Sequence, residues 1–187
     1  MAGSSPHVAV GARVLVPVAR PASLDSLLPI AAAMAAVDDR HGDHVPVTVV
    51  PRHAPEDVVR AAADLAVEAE ARLVAEGLSA SGVVAEARSI PAGVRSLVAS
   101  ERATLVVMGW RGLVDASRAF DATVDDVLGR SSVPLLVVRP ADLPPARVVV
   151  PLGPGHTVPH GRGGLRLAAT LAERLAAARP GLSLIHI

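Results

Sequence analysis

The strongest constraint on the fold is an alternation, from Arg13 onward, of short valine-rich runs with longer segments rich in alanine and leucine. The short runs are apolar throughout, as in parallel strands that are buried on both faces. The longer segments repeat apolar residues at the period of a helix. This order predicts an α/β domain, an open five-stranded parallel sheet with helices on both faces. The strands are predicted at Val14–Val18, Val45–Val50, Val83–Ala87, Thr104–Met108 and Pro134–Val138.

Capping residues, prolines and glycines set the expected helix boundaries. Ser23 should cap a first helix, which Pro29 should kink or shorten. Pro55 and the acids after it open a second helix, which Gly77 closes. An apolar stripe is expected on the second helix at Val58, Ala62, Leu65, Ala66, Ala69 and Leu73.

Two further helices follow. One starts at Pro91 and should turn Val94, Leu97 and Val98 inward. The other starts with Thr123, which together with Asp126 has the spacing of a capping box.

The chain divides into unequal parts. Residues 1–12 are expected to be a flexible N-terminus, 13–140 one domain, and 141–146 a proline-rich linker. Residues 147–187 repeat the start of the domain, because Val148–Leu152 resembles Val14–Val18 and an apolar helix follows it. We expect this second unit to be an incomplete β-α-β repeat. We draw no functional inference from the terminal residues 182–187.

Composition excludes several kinds of chemistry. The sequence has no lysine and no cysteine, which removes lysine Schiff bases, phosphate-loop lysines, zinc knuckles and thiol nucleophiles. Its 18 basic residues balance 18 acidic ones, so no nucleic-acid partner is predicted. Residues 1–12 lack a signal peptide, and Pro29 interrupts the longest apolar stretch. A cytoplasmic location is therefore expected.

The most informative motif joins the fourth predicted strand to the fourth predicted helix. It reads Met-Gly-Trp-Arg-Gly from Met108 to Gly112, then nine residues, then Ala122-Thr123-Val124. Ligands of open parallel sheets bind at the carboxyl ends of the strands, where helix N-termini present free amides to phosphate. Glycines let the backbone approach such a ligand closely.

These residues resemble the universal stress protein family, whose nucleotide-binding members carry Gly-x2-Gly-x9-Gly-Ser/Thr at this point. The opening strand VLVPV, the strand LVVMG and the closing VPLLVVRP extend the resemblance over about residues 13–140. It implies a flavodoxin-like or Rossmann-like fold of the adenine nucleotide alpha hydrolase type, and a homodimer formed through the strand at 134–138. It also implies ATP, with its bound Mg²⁺, as a ligand. The binding residues that it implies are Met108, Gly109, Gly112, Ala122, Thr123 and Val124. Pro17 and Ala19, after the first strand, and Arg111, whose fork can hold phosphate, are further candidates.

Two positions depart from the family pattern. Ala122 replaces the glycine before Ser/Thr, and Ala19 replaces an aspartate that follows the first strand in nucleotide-binding members. A left-handed alanine would cost about 1–2 kcal/mol, and a lost charge-assisted hydrogen bond about 1.5–3 kcal/mol. The expected function is therefore a regulatory, stress-response module with a degraded pocket that binds ATP weakly.

Two other functions stay open. Two sequence segments, PLGPG and GGLRLAATLAERLA, resemble the second repeat of paired domains attached to cation/proton antiporters and amino-acid permeases. On that alternative, the chain is a regulatory domain at the cytoplasmic face of a transporter encoded by the same gene. A nucleotide hydrolase is a further alternative, using Asp115, Asp121, Asp125 or Asp126 as base or magnesium ligands. No catalytic arrangement follows from the spacing, and an enzyme is not predicted.

Other residues have a structural as well as a functional interpretation. Trp110 and Arg111 either contact a nucleotide or pack the loop on its own sheet, and Leu113 and Phe120 are expected to pin that loop. The pairs His41 with His44 and His156 with His160 suggest metal ligation, but each lacks further ligands nearby. We interpret both pairs as solvated loops and predict no metal site.

Overall fold

The computed structural model describes residues 13–37, 40–110, 121–138, 147–150, 172–174 and 183–186. The chain forms two compact units, Met1–Pro140 and Ala141–Ile187. The expected flexible N-terminus, the linker and most of the helix expected after the second repeat's first strand lie outside the described residues.

The first unit contains a five-stranded parallel sheet in the order β5-β4-β1-β6-β7, and this confirms the predicted fold class. The predicted strand boundaries hold within two residues. A short antiparallel pair, β2 with β3, was not predicted. The elements of this unit are β1 (Arg13–Pro17), α1 (Leu24–Met34), β2 (Ala36–Val37), β3 (Arg40–His41), β4 (Asp43–Pro51), α2 (Glu56–Ala75), β5 (Val83–Ala87), α3 (Ile90–Ser100), β6 (Leu105–Gly109), α4 (Ala122–Arg130) and β7 (Leu135–Val138).

The core lies on both faces of β1. Val14, Leu15 and Val16 have no exposed surface, as expected of a strand paired on both edges. Leu15 belongs to the cluster formed under α3 and α4, whereas its neighbours point to the other face. There α1 packs on β1 and β6, and α2 packs on β4. The core of the cluster under α3 and α4 includes Val94, Leu97, Val98, Val106, Val124 and Val127.

Helix α2 ends as predicted. Gly77 has a φ of +78°, its N–H donates to the Val74 carbonyl at 2.9 Å, and the Leu78 N–H donates to the Leu73 carbonyl at 3.1 Å. This is a Schellman motif, which requires a residue that tolerates the left-handed region. The expected apolar stripe is confirmed except at Val58, which is 41% exposed. Burial on α2 begins only at Ala62, because the first turn stands clear of the core.

Helix α1 differs from expectation at its start. Ser23 was predicted to be the N-cap, but Pro21–Ser23 form a 3₁₀ turn in which Ser23 is already helical, with φ −86° and ψ −14°. Its hydroxyl donates to the Arg20 carbonyl at 2.6 Å and does not cap the helix. The helix continues through Pro29 for 11 residues, so the expected shortening is wrong.

Helices α1 and α2 are tied together at the surface. Arg72 donates to Asp25 and to Glu68, each at 2.6 Å, and these two carboxylates raise the pKa of the guanidinium.

Among the residues that the structure describes, no helix is both long enough and apolar enough to cross a membrane.

The second unit contains a parallel strand pair, β8 (Arg147–Val150) with β9 (Ser183–His186). Residues 172–174, between these strands, are helical. Arg147 is aligned with Ser183, as Arg13 is aligned with Asp43 in the first unit. In both units, therefore, the strand that begins Arg-Val pairs in parallel with the strand expected to follow one helix later.

Gly93 provides a test of the packing between α3 and β4. A Cβ atom at this buried glycine would overlap Cγ1 of Val49 and lie 3.1 Å from Cβ of Ala87. Valine cannot easily swing away, because branching at Cβ restricts its rotamers. We expect Gly93→Ala to lower the free energy of unfolding by about 1–3 kcal/mol, measured by urea denaturation.

Gly129→Ala is the matched control, because nothing lies within 4 Å of the Cβ that it adds to α4. It should leave stability unchanged or raise it by up to about 1 kcal/mol. Equal losses in both variants would contradict the close approach of α3 to β4.

Candidate functional site

Strand order reverses next to β1, and this creates the crevice in which ligands of open parallel sheets bind. The chain passes from β1 to β4 and β5 on one side, then crosses to β6 and β7 on the other. Pro17 ends β1, exposed Ala19 follows it, and Gly109 ends β6. The register of Leu15 with Val106 continues toward these ends. The structure thus brings the two predicted segments, one after β1 and one after β6, to the same edge of the sheet.

Two of the predicted binding residues point into the core. The exposed fraction of Met108 is 4% and that of Val124 is zero, and both belong to the cluster under α3 and α4. They can therefore offer a ligand only their backbone groups. Trp110 also packs against this cluster. Its backbone N–H donates to the Val138 carbonyl at 2.7 Å. This agrees with the interpretation that Trp110 packs on its own sheet.

The segment between β6 and α4 carries other predicted residues. It includes Arg111 and Gly112, together with Leu113, Asp115 and Phe120. All five lie outside the described residues.

Helix α4 is capped by Asp121 and not by Thr123, so the predicted capping box is wrong. Asp121 has the extended backbone of an N-cap, with φ −71° and ψ 163°. Its Oδ1 accepts from the N–H of Thr123 at 2.9 Å and from the N–H of Val124 at 3.0 Å. Because the helix begins at Ala122, Asp126 lies too far along it to reach back to the cap.

Asp126 binds two arginines instead. It accepts a hydrogen bond from Arg95 of α3, and its Oδ1 lies 3.2 Å from Nε of Arg130 in an ion pair. The side chains of Asp126 and Arg95 are 30% and 28% exposed, so this ion pair is partly shielded from water. It fixes α4 against α3 and thereby positions the start of α4 at the carboxyl edge.

Ala122 does not carry the strain that was expected of it. It is the exposed first residue of α4, and the non-glycine residues with positive φ in the described chain are His53 and Arg102. A left-handed penalty at Ala122 is therefore absent in this structure. The replacement of glycine adds only a methyl group at the surface.

Comparison with known proteins gives a fold. No sequence-family model matches the chain, and no curated protein matches it significantly. A universal stress protein from Archaeoglobus fulgidus superposes with a TM-score of 0.57 at 17% identity, over 67% of this chain and 91% of that one. The protein from the same organism in complex with dAMP gives 0.57 at 17% identity, over 67% and 95%. A universal stress protein in complex with cAMP gives 0.51 at 21% identity, over 71% and 99%.

The chain has the universal stress protein fold. The five parallel strands and their helices make up this fold, as the sequence resemblance implied.

On this universal stress protein fold, the start of α4 is occupied by the protein's own carboxylate. A partly buried helix N-terminus stabilises a bound anion by up to about 2 kcal/mol of free energy. Here the N–H groups of Thr123 and Val124 already donate to Asp121, which also carries a negative charge. A phosphate group must displace this carboxylate before it can bind the same amides.

His44 departs from its expected place. It was interpreted as part of a solvated loop, but it lies in β4 with no exposed surface. Its Nδ1 is 3.0 Å from the Ser79 carbonyl, so Nδ1 carries the proton, and Nε2 has no hydrogen-bond partner among the described residues. The loop interpretation failed because β4 begins two residues earlier than the apolar run indicated. Within the described chain, no group of three or more potential ligands could hold a metal ion.

The cap on α4 can be tested by substitution. Asp121→Ala should lower the free energy of unfolding by about 1 kcal/mol, because two amides lose their acceptor. Asp121→Asn keeps an acceptor oxygen and should stay within about 0.5 kcal/mol of the parent protein. Urea denaturation followed by circular dichroism measures both changes.

Asp125→Ala is the control, since Asp125 is exposed in the first turn but is not the cap. If it costs as much as Asp121→Ala, the assignment of the cap is wrong.

Proposed function

We propose that this protein is a regulatory, nucleotide-responsive module of the stress response that binds an adenine nucleotide weakly at the carboxyl edge between β1 and β6. The observation that carries the proposal is the strand reversal at β1, which brings exposed Ala19 and half-buried Gly109 to one edge of the sheet. Support comes from neighbours of the same fold that hold cAMP and dAMP. A cytoplasmic location belongs to this proposal.

Two features support weak binding. Ala19 offers no carboxylate to a ligand beside the end of β1. The amides of Thr123 and Val124 are already paired with Asp121, so a phosphate gains less there than at an open helix end. The pocket is therefore degraded on both the β1 side and the α4 side.

Two of the four aspartates that a hydrolase could use have structural roles, and this favours a binding protein. Asp121 caps α4, and Asp126 pairs with Arg95 and Arg130. Each carboxylate already performs a structural task, which leaves less to hold a catalytic metal or activate water. In this proposal Mg²⁺ enters only as part of a nucleotide complex.

The edge of the sheet supports a homodimer formed through β7. Among the described strands, β7 pairs with β6 alone, and its residues are all partly exposed. Leu135 and Val137 pack on the cluster under α3 and α4, whereas Leu136 is not part of it. An apolar edge strand of this kind is a ready surface for pairing with another chain.

The second unit supports a tandem organisation of universal-stress-like repeats. Val148–Leu152 repeats the pattern of Val14–Val18, and β8 begins with the same Arg-Val pair as β1. The alternative, a regulatory domain of a cation/proton antiporter or amino-acid permease, stays a prediction from the sequence resemblance.

Restoring an acid at Ala19 tests the nucleotide site. In isothermal titration with ATP, Ala19→Asp should bind about tenfold to a hundredfold more tightly than the parent, because a charge-assisted hydrogen bond is gained.

Ala71→Asp adds the same charge on the exposed face of α2 and serves as its control. It should leave ATP affinity unchanged or slightly lower. No heat with millimolar ATP in the parent or in Ala19→Asp would refute nucleotide binding at this crevice.

The dimer is tested at Leu136. Leu136→Glu should convert a dimer to a monomer in sedimentation velocity. Pairing through β7 would remove the new carboxylate from water, and burying an unpaired charge is costly. Val74→Glu is the matched control, since Val74 is 52% exposed on α2. A Leu136→Glu variant that still sediments as the parent dimer would rule out pairing through β7.

A further inference from the structure

The arginines of the first unit whose side chains the structure describes fall into two groups. Those of one group each have a carboxylate within 3.3 Å. They are Arg13, Arg60, Arg72, Arg95 and Arg130. The other group is exposed and makes no ion pair with any residue that the structure describes: Arg20, Arg52, Arg88 and Arg102.

Three of the four unpaired arginines share one edge of the sheet. Arg20 follows the end of β1, Arg52 follows β4 directly, and Arg88 follows β5 directly. β1, β4 and β5 are neighbours, and parallel strands end at the same edge. The basic residues that lack a partner are therefore concentrated where this fold class binds ligands.

Arg52 and Arg88 lie beside one another. Pro51 is aligned with Ala87, and the N–H of Arg52 donates to the Ala87 carbonyl at 3.0 Å. The backbones of adjacent strands are about 5 Å apart, so the two side chains leave from neighbouring positions. Like charges placed opposite each other in a sheet are destabilising, and no described carboxylate pairs with either of them.

Two local features accompany these arginines, an unusual backbone angle and a helix N-terminus. His53, next to Arg52, has a φ of 61°, in a region that non-glycine residues rarely occupy and that recurs at functional sites. Helix α3 starts at Ile90, two residues after Arg88, and a helix N-terminus carries partial positive charge.

We infer that Arg52 and Arg88, with Arg20 after the end of the adjacent strand β1, form a binding site for a small polyanion that carries two or more linked phosphate groups. The guanidinium fork donates two parallel hydrogen bonds to a phosphate, and the neighbouring forks bind successive phosphates of one chain. The site lies on the β4 and β5 side of β1, away from the start of α4 that Asp121 occupies. It does not depend on the nucleotide pocket proposed above.

Linked phosphate groups occur in two kinds of ligand, the phosphate tail of a nucleotide and free inorganic polyphosphate. The probe for the shared chemistry is inorganic tripolyphosphate, titrated calorimetrically into the full chain at low ionic strength, where screening is small. The matched comparison is between two double variants, Arg52→Ala/Arg88→Ala and Arg60→Ala/Arg102→Ala. Both remove two exposed arginines and change the net charge equally.

The first double variant should bind tripolyphosphate at least about tenfold more weakly than the parent, and the control should stay within about twofold of it. All four side chains are exposed, so each variant should remain folded, and thermal melting checks this. Arg88→Ala alone should give an intermediate loss. Equal weakening in the two double variants, or no binding to the parent at millimolar probe, overturns the inference.

ATP and adenosine distinguish the two sources. ATP that displaces tripolyphosphate and loses affinity in Arg52→Ala/Arg88→Ala supports the site with a nucleotide tail as its ligand. Tripolyphosphate that binds as tightly as ATP, with no binding of adenosine, supports the site with the phosphate chain alone. The second result also counts against the nucleotide pocket. ATP and tripolyphosphate binding that both survive in that variant would overturn the arginine site and leave the proposed function standing.

Discussion

The parallel pairing of β1 with β4 on one edge and with β6 on the other organises the whole first unit. It buries the three central residues of β1 completely, so their side chains supply core to both faces. It also forces the chain to cross from one half of the sheet to the other, and this crossing opens the crevice at the carboxyl edge. The candidate site, the arginines that follow β1, β4 and β5, and the start of α4 all owe their common location to this one strand.

Much of this arrangement follows from sequence because the patterns that carry it are strong. Uninterrupted valine runs identify buried parallel strands, and Gly77 ends α2 where its left-handed backbone is needed. The site was harder to predict. Asp121 and Thr123 are both good N-cap residues, and only the structure shows which one has the extended backbone and accepts the amides. His44 has polar neighbours in sequence, yet β4 starts early enough to carry it into the interior.

Charge is distributed unevenly over a chain whose formal net charge is zero. Carboxylates neutralise Arg13, Arg72 and Arg95 where these side chains hold elements together. At the carboxyl edge the pattern changes, because Arg52 and Arg88 stand next to each other without a described acidic partner. Sequence composition alone cannot reveal this, since it counts charges and does not record which of them are paired.

The Asp121 cap also bears on how such a site changes over evolutionary time. Because the amides of Thr123 and Val124 find their acceptor within the chain, α4 folds without help from a bound anion. A pocket that contributes nothing to folding is not protected by selection for stability. Ala19 and Ala122 are exposed, so substitutions at these two positions need not disturb the scaffold. Because α4 needs no bound anion to fold, the fold persists where the ligand site is lost.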